Sequence, residues 1–216
     1  MLIALSFTSG IDSYQNAIVR RGMKENLRYL SIILLIFSTL ISSADSNALK
    51  ELDQRIFDAI YDEKHSESIK HNLMENITHF GHPYAVIGLS LLNVTYGKEE
   101  NRKTGRLMSS AFLGSSLIVY TSKRLINRRR PLDIRDTDTP ALPSGHTANA
   151  FIIATILGKH HPKFKIPLYI VAGMVGFSRI YLGRHYASDV LIGATVGTGV
   201  GLLVWRHQST LLKWKF

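Results

Sequence analysis

Six short apolar stretches, with a basic connection at every second boundary, are what this chain has to fold around. They fall at residues 29–41, 83–97, 107–122, 147–158, 166–177 and 190–205. The flank before the first carries Arg20, Arg21, Lys24 and Arg28. The connection between the second and third carries Lys98, Arg102, Lys103 and Arg106, and that between the fourth and fifth carries Lys159, Lys163 and Lys165. The tail after the sixth carries Arg206, Lys213 and Lys215. Such alternation is the positive-inside pattern of a multi-pass membrane protein. Length pulls the other way: a helix of about 16 residues is about 24 Å long, against a bilayer core of about 30 Å. A mean hydropathy of +0.06 is also low for a membrane chain. The charge order weighs more. The connections that break it, with Arg128 to Arg130 and with Arg179 and Arg184, fall together on the opposite side.

The last stretch adds Gly193, Gly197 and Gly201 at four-residue spacing, a small-residue face for close helix contact. The expectation is an all-α helical bundle of six membrane-embedded helices with the active site at one end. A soluble exported bundle is the alternative.

Residues 1–44 form an N-terminal extension plus the first apolar stretch, and residues 45–216 the main domain. Met23 offers an alternative start, since Met23-Lys-Glu-Asn-Leu-Arg28 reads as a basic leader. The stretch 29–41, followed by Ser42-Ser43-Ala44, is either a first membrane helix or a signal peptide. Residues 45–77 are polar and acidic, but Leu49, Leu52, Ile56 and Ile60 recur at helical spacing, which predicts an amphipathic helix packed on the bundle. The absence of cysteine rules out disulfides and thiolate metal sites. A net charge of +10 over 216 residues suits an anionic partner. No nucleic-acid-binding motif accompanies it, which leaves a phosphate ester or a lipid surface.

Three clusters between Lys123 and Asp189 can do chemistry on a phosphate. The first is Lys123-Arg-Leu-Ile-Asn-Arg-Arg-Arg130-Pro131. Lys123 and Arg130, seven apart, can share a helical face that Pro131 ends. An Arg fork takes two phosphate oxygens and a Lys point charge a third. Arg128 and Arg129 read as a solvated basic face. The second cluster is Pro143-Ser144-Gly145-His146, before an apolar run. Ser144 is a natural N-cap, Gly145 lets a phosphate approach the backbone, and amides at a helix start bind anions. His146, in the first turn, can reach a leaving oxygen.

The third cluster is Ser178-Arg179-Ile-Tyr-Leu-Gly-Arg-His185-Tyr-Ala-Ser-Asp189. His185 and Asp189, four apart on a predicted helix, face the same way. The carboxylate fixes the imidazole tautomer and leaves its other nitrogen free to attack phosphorus. Arg179, on the connection before, completes the clamp on the equatorial oxygens. His79, His82 and the His160-His161 pair lack carboxylate company at metal-ligand spacing.

These clusters, K-x6-R-P, P-S-G-H and S-R-x5-H-x3-D, resemble the signature of the type 2 phosphatidic acid phosphatase and vanadium haloperoxidase superfamily, lipid phosphatase branch. All three match without a substitution. The resemblance covers roughly residues 78–206. It implies a catalytic set of His185 as nucleophile, His146 as general acid and Asp189, with Lys123, Arg130, Ser144, Gly145 and Arg179 on the phosphate. It implies no metal and no cofactor.

The implied activity is hydrolysis of a lipid phosphate monoester or pyrophosphate through a phosphohistidine, on phosphatidic acid, phosphatidylglycerophosphate or undecaprenyl pyrophosphate. Its partners are the lipid substrate and membrane lipids, with no nucleic acid, and no oligomeric state follows. The location is the inner cell membrane, multi-pass, with the site facing the periplasm or the outside. A soluble exported acid phosphatase, periplasmic or secreted after signal cleavage, and a vanadate-dependent haloperoxidase are the competing readings.

Overall fold

In the computed structural model, which describes residues 47–61, 68–132 and 139–212, every regular element is a helix. The order is α1 (Asn47–Ile60), α2 (Ile69–Thr78), a 3-10 turn at His79–Gly81, α3 (Pro83–Tyr96), α4 (Glu99–Ile126) and α5 (Gly145–His160). A second 3-10 turn, Pro162–Phe164, leads to α6 (Lys165–Tyr181), α7 (Ala187–Arg206) and α8 (Gln208–Leu211). The all-α expectation holds, with no strand among the described residues. The first apolar stretch, 29–41, and the extension before it lie outside them.

The centre of the bundle is α5, apolar on every side because neighbours cover every side. One face meets Ile77, Ala172 and Val175 through Ala150 and Ala154. The other meets Leu107, Met108 and Ala111 through Ile152 and Ile156. The predicted glycine face of α7 is what brings it onto α5. A Cβ at Gly193 would stand 2.5 Å from Ser144 O, one at Gly197 2.2 Å from Ala148 O, and one at Gly201 2.9 Å from Thr155 Cγ2. None of these three positions has room for a side chain.

The bundle has two chemically different ends. At one, the ends of α2, α4 and α6 meet the starts of α5 and α7. At the other, His160 of α5 hydrogen-bonds Asn101 of α4 at 3.2 Å, and Lys98, Arg102, Lys159, Lys163 and Lys165 crowd the connections. Between the ends, large apolar side chains face outward. Ile87, Leu91 and Leu92 do so on α3, Leu113 and Leu117 on α4, Ile166 and Ile170 on α6, and Leu191 and Leu202 on α7. Among the described residues only α7 is both long and apolar enough by itself to cross a membrane, at 20 residues and a mean hydropathy of 1.6.

Three local expectations are corrected. The buried residues of α1 are Asp53 and Phe57, whereas Leu52 is 52% exposed. The stripe is turned because Asp53 finds enough donors to be buried. Lys123 and Arg130 do not share a helical face: α4 ends at Ile126, where Asn127 takes a left-handed conformation (φ 46°, ψ 41°) and its N–H returns to Lys123 O. Asn tolerates that conformation better than most residues do. His185 is not on α7, which starts at Ala187.

Candidate active site

Each motif residue is placed by a local device. Lys123 sits in the last turn of α4, and its ammonium donates to the carbonyls of Pro140 and, at 3.4 Å, Ala141. Arg130, on the loop beyond, donates from Nε to Thr139 O at 3.0 Å and from its terminal nitrogen to Thr139 Oγ1 at 2.8 Å. Burial and the neighbouring Arg184 both work against its charge, a tension that an anion between the two would relieve.

The expected N-cap is present. Ser144 Oγ accepts from Thr147 N at 3.5 Å and from Thr147 Oγ1 at 2.9 Å. It is wholly buried in that role. A Cβ on Gly145 would meet only Val119 Cγ1, at an ordinary 3.7 Å. Protein packing therefore does not demand glycine there. His146 follows, half-buried in the first turn. Gly81 packs on its backbone so tightly that a Cβ would come 2.4 Å from His146 O.

Arg179 lies in the last turn of α6 rather than on the connection after it. It is buried, donates to Thr78 Oγ1 at 2.8 Å, and leaves its Nε without a partner. A buried guanidinium N–H with no acceptor is costly, and an anion is what would satisfy it. Gly183, at φ +69°, then turns the chain, and the N–H groups of Arg184 and His185 both return to Arg179 O.

That turn delivers His185, 2% exposed, to Asp189 without a shared helix. Its Nδ1 stands 3.5 Å from Asp189 Oδ2 and makes no well-aligned hydrogen bond. Contacts of this kind often tighten only when substrate is bound. Burial pushes the His185 pKa down to about 4; Asp189 opposes the shift, and Arg179 and Lys123 add to it. The ring is thus neutral at physiological pH. With Nδ1 toward the carboxylate, Nε2 is the nitrogen left to react.

The clusters meet. Ser144 N donates to Asp189 O at 3.0 Å. His146 feels the charges of Arg179, His185 and Arg130, and Lys123 feels those of Arg130, Asp189 and Arg179. Three residues to which the motifs assign no role also belong here. The ring of His82 lies edge-on to that of His146, centroids 5.4 Å apart. Arg128, taken for a solvated cation, donates to Asp189 Oδ1 at 3.0 Å and to Asp53 Oδ2 at 2.7 Å. Asp53 has one sequence signal: it interrupts an apolar four-residue spacing, Leu49, Asp53, Phe57.

A neutral imidazole backed by a carboxylate, with three guanidinium or ammonium groups and a second imidazole around it, defines a phosphatase in an all-helical frame. The chain belongs to the PAP2 superfamily, whose family model matches residues 105–213. It is 33% identical to phosphatidylglycerophosphatase B from Bacillus subtilis over 198 residues, 85% of this chain and 96% of that one. It is 40% identical over 113 residues to a lipid A 1-phosphatase from Porphyromonas gingivalis, covering 49% of this chain but only a quarter of the length of that relative. Among solved structures it resembles the first transmembrane PAP2 type phosphatidylglycerolphosphate phosphatase from Bacillus subtilis. The TM-score is 0.71 and the identity 28%, over 86% of this chain and 98% of that one. These relatives are lipid phosphatases.

Proposed function

We propose that this protein hydrolyses a lipid phosphate monoester or pyrophosphate at a membrane, through a phosphohistidine on His185. The observation that carries the reading is the meeting of three separated clusters at one end of the bundle, where the buried Nε of Arg179 lacks a partner. Lys123, Arg130 and Arg179 take the phosphoryl oxygens, with the Gly145 amide at the helix start beside them. Burial and then Arg179 push the His146 pKa down to about 3 while the site holds no anion; the charge of a bound phosphate opposes both and lets the ring take up a proton from solvent. Nε2 of His185 forms a bond to phosphorus as the bond to the leaving oxygen breaks, and the protonated His146 gives that oxygen its proton. Asp189 accepts from Nδ1–H and stabilises the cationic ring. Water then gives a proton to the now neutral His146 and attacks phosphorus. The P–N bond breaks, phosphate leaves, and both histidines return to their starting state.

The same reading places six helices in the bilayer, counting residues 29–41. Apolar side chains turned outward on α3, α4, α6 and α7 suit acyl chains better than water. The basic end faces the cytoplasm by the positive-inside rule, and the active site faces the periplasm or the exterior. Helices shorter than the bilayer core are accommodated by local thinning and by flanking residues that reach outward.

The test is a panel of phosphatidic acid, phosphatidylglycerophosphate, undecaprenyl pyrophosphate and soluble phosphate esters, assayed in detergent with wild type and His185→Ala. Lipid phosphates are expected to be hydrolysed by wild type only. Preference for soluble esters, or release of the chain by alkaline carbonate, would favour the exported acid phosphatase instead.

A further inference from the structure

We propose that Asp53 and Arg128 are positioning residues for the reaction: an ion pair that aims the Asp189 carboxylate and sets the charge felt by His185. The inference rests on the function proposed above. It concerns two residues to which the three motifs assign no role: Arg128, at a variable position of the first, and Asp53 on α1, a helix outside the matched residues 105–213.

A carboxylate alone can turn about its Cβ–Cγ bond and present either oxygen to the imidazole. Here it cannot. Asp189 Oδ1 is held by Arg128 at 3.0 Å, and Oδ2 accepts from Tyr186 N at 2.9 Å while it faces His185. Arg128 is fixed in turn. One terminal nitrogen also donates to Ser188 Oγ at 2.6 Å, the other donates to Asp53 Oδ2 at 2.7 Å, and the guanidinium lies 4.6 Å from the centre of the Tyr186 ring. Asp53 completes the set by accepting from Ser188 N at 2.9 Å and Ser188 Oγ at 2.5 Å. Both carboxylates are 0–2% exposed.

Charge matters as much as aim. Two carboxylates share one guanidinium, so the cluster keeps one net negative charge. If Asp53 were neutral, Arg128 would cancel Asp189 outright. The imidazolium-like ring that forms as Nε2 attacks would then lose its counter-charge. The charged and titratable groups facing His185 are Asp189 from α7, Arg179 from α6, Lys123 from α4 and His146 from α5. Asp53 and Arg128 act on the ring through the first of these.

The experiment titrates the ring of His185 by NMR of histidine-labelled protein in detergent, and measures turnover of short-chain phosphatidic acid. Variants are Asp53→Asn, Arg128→Gln and the double. Asp53→Asn is expected to move the His185 midpoint to lower pH and Arg128→Gln to raise it, while the double stays near wild type. Each single variant should lower kcat about 10- to 100-fold with KM held within about twofold. The double, which keeps the net charge of the cluster but leaves Asp189 Oδ1 without Arg128, should also turn over slowly because nothing aims that oxygen.

Single variants that fold but leave the midpoint in place, lowering thermal stability alone, would overturn the proposal. Where a single variant does not fold, the double decides: wild-type kcat would overturn the proposal, and a loss with KM unchanged supports it. The titration needs no substrate. Failure of wild type to hydrolyse any lipid phosphate would therefore sink the functional reading separately.

Discussion

The backbone N–H of Ser144 donates to the carbonyl of Asp189 at 3.0 Å, so the start of α5 and the carboxylate that faces His185 are tied together. The contact exists because α5 and α7 touch along glycine, with Gly193 set against Ser144 O and Gly197 against Ala148 O. Gly197→Val forces the helices apart. It is expected to cost about 1–3 kcal/mol from overpacking and to lower kcat more than KM, since the two halves of the site move relative to each other. Gly199→Ala is the control, because a Cβ at Gly199 meets nothing within 4 Å. It should leave both unchanged, as thermal melts and steady-state assays in detergent will read.

His185→Ala should abolish turnover, and Asp189→Asn should lower it about 10²- to 10⁴-fold, the scale on which a lost carboxylate orients a catalytic histidine badly. The fold should survive Asp189→Asn, because Arg128 keeps Asp53 as a partner at 2.7 Å. Arg128→Ala is different. It leaves two buried carboxylates without their cation and should destabilise by about 3–5 kcal/mol. Melting temperatures separate the two cases, and an Asp189→Asn variant that melts like Arg128→Ala would contradict this account.

Burial holds the His185 pKa at about 4, against 6.5 for a free imidazole. The folded state therefore resists a proton that the unfolded chain accepts. Stability from this group is complete above about pH 6.5 and is lost as pH falls through about 4. His185→Gln removes the titrating group. Between pH 7 and pH 4.5 its melting temperature should fall less than that of wild type, other acid-sensitive groups being common to both. An equal fall in the two proteins would show that the ring is protonated in the fold.

Periodicity and charge made much of this legible. The apolar stretches from residue 83 onward each coincide with a helix, the first ending one residue early at Tyr96, and the alternation of basic connections anticipated which ends would meet. Tertiary hydrogen bonding was not legible. Arg128 and Arg129 are adjacent and alike in sequence, yet one is held between two carboxylates with 13% of its side chain exposed and the other is exposed, a difference made by where the α4 helix stops. The burial of Asp53 was not legible because its donors come from Ser188 and Arg128, far along the chain. The helical spacing invoked for Lys123 with Arg130 and for His185 with Asp189 named the right neighbourhoods for the wrong reason. Arg130 and His185 are each carried by a loop whose turn no periodicity reveals.

In the proposed reaction Lys123, Arg130 and Arg179 take the place around the phosphoryl group that divalent cations fill in many other phosphoryl-transfer sites. Full activity is therefore expected in EDTA, with no gain from added Mg²⁺. Orthovanadate, which takes the five-coordinate geometry of phosphorus in flight, should inhibit competitively against short-chain phosphatidic acid. The inhibition should depend on the same cations. Arg179→Lys keeps the charge but not the unpartnered Nε, and it should weaken vanadate at least as much as it weakens substrate, because the fork serves the trigonal bipyramid more than the tetrahedron. Loss of activity in EDTA that Mg²⁺ restores would mean that the three cations do not suffice. Vanadate affinity untouched by Arg179→Lys would remove that residue from the phosphoryl clamp.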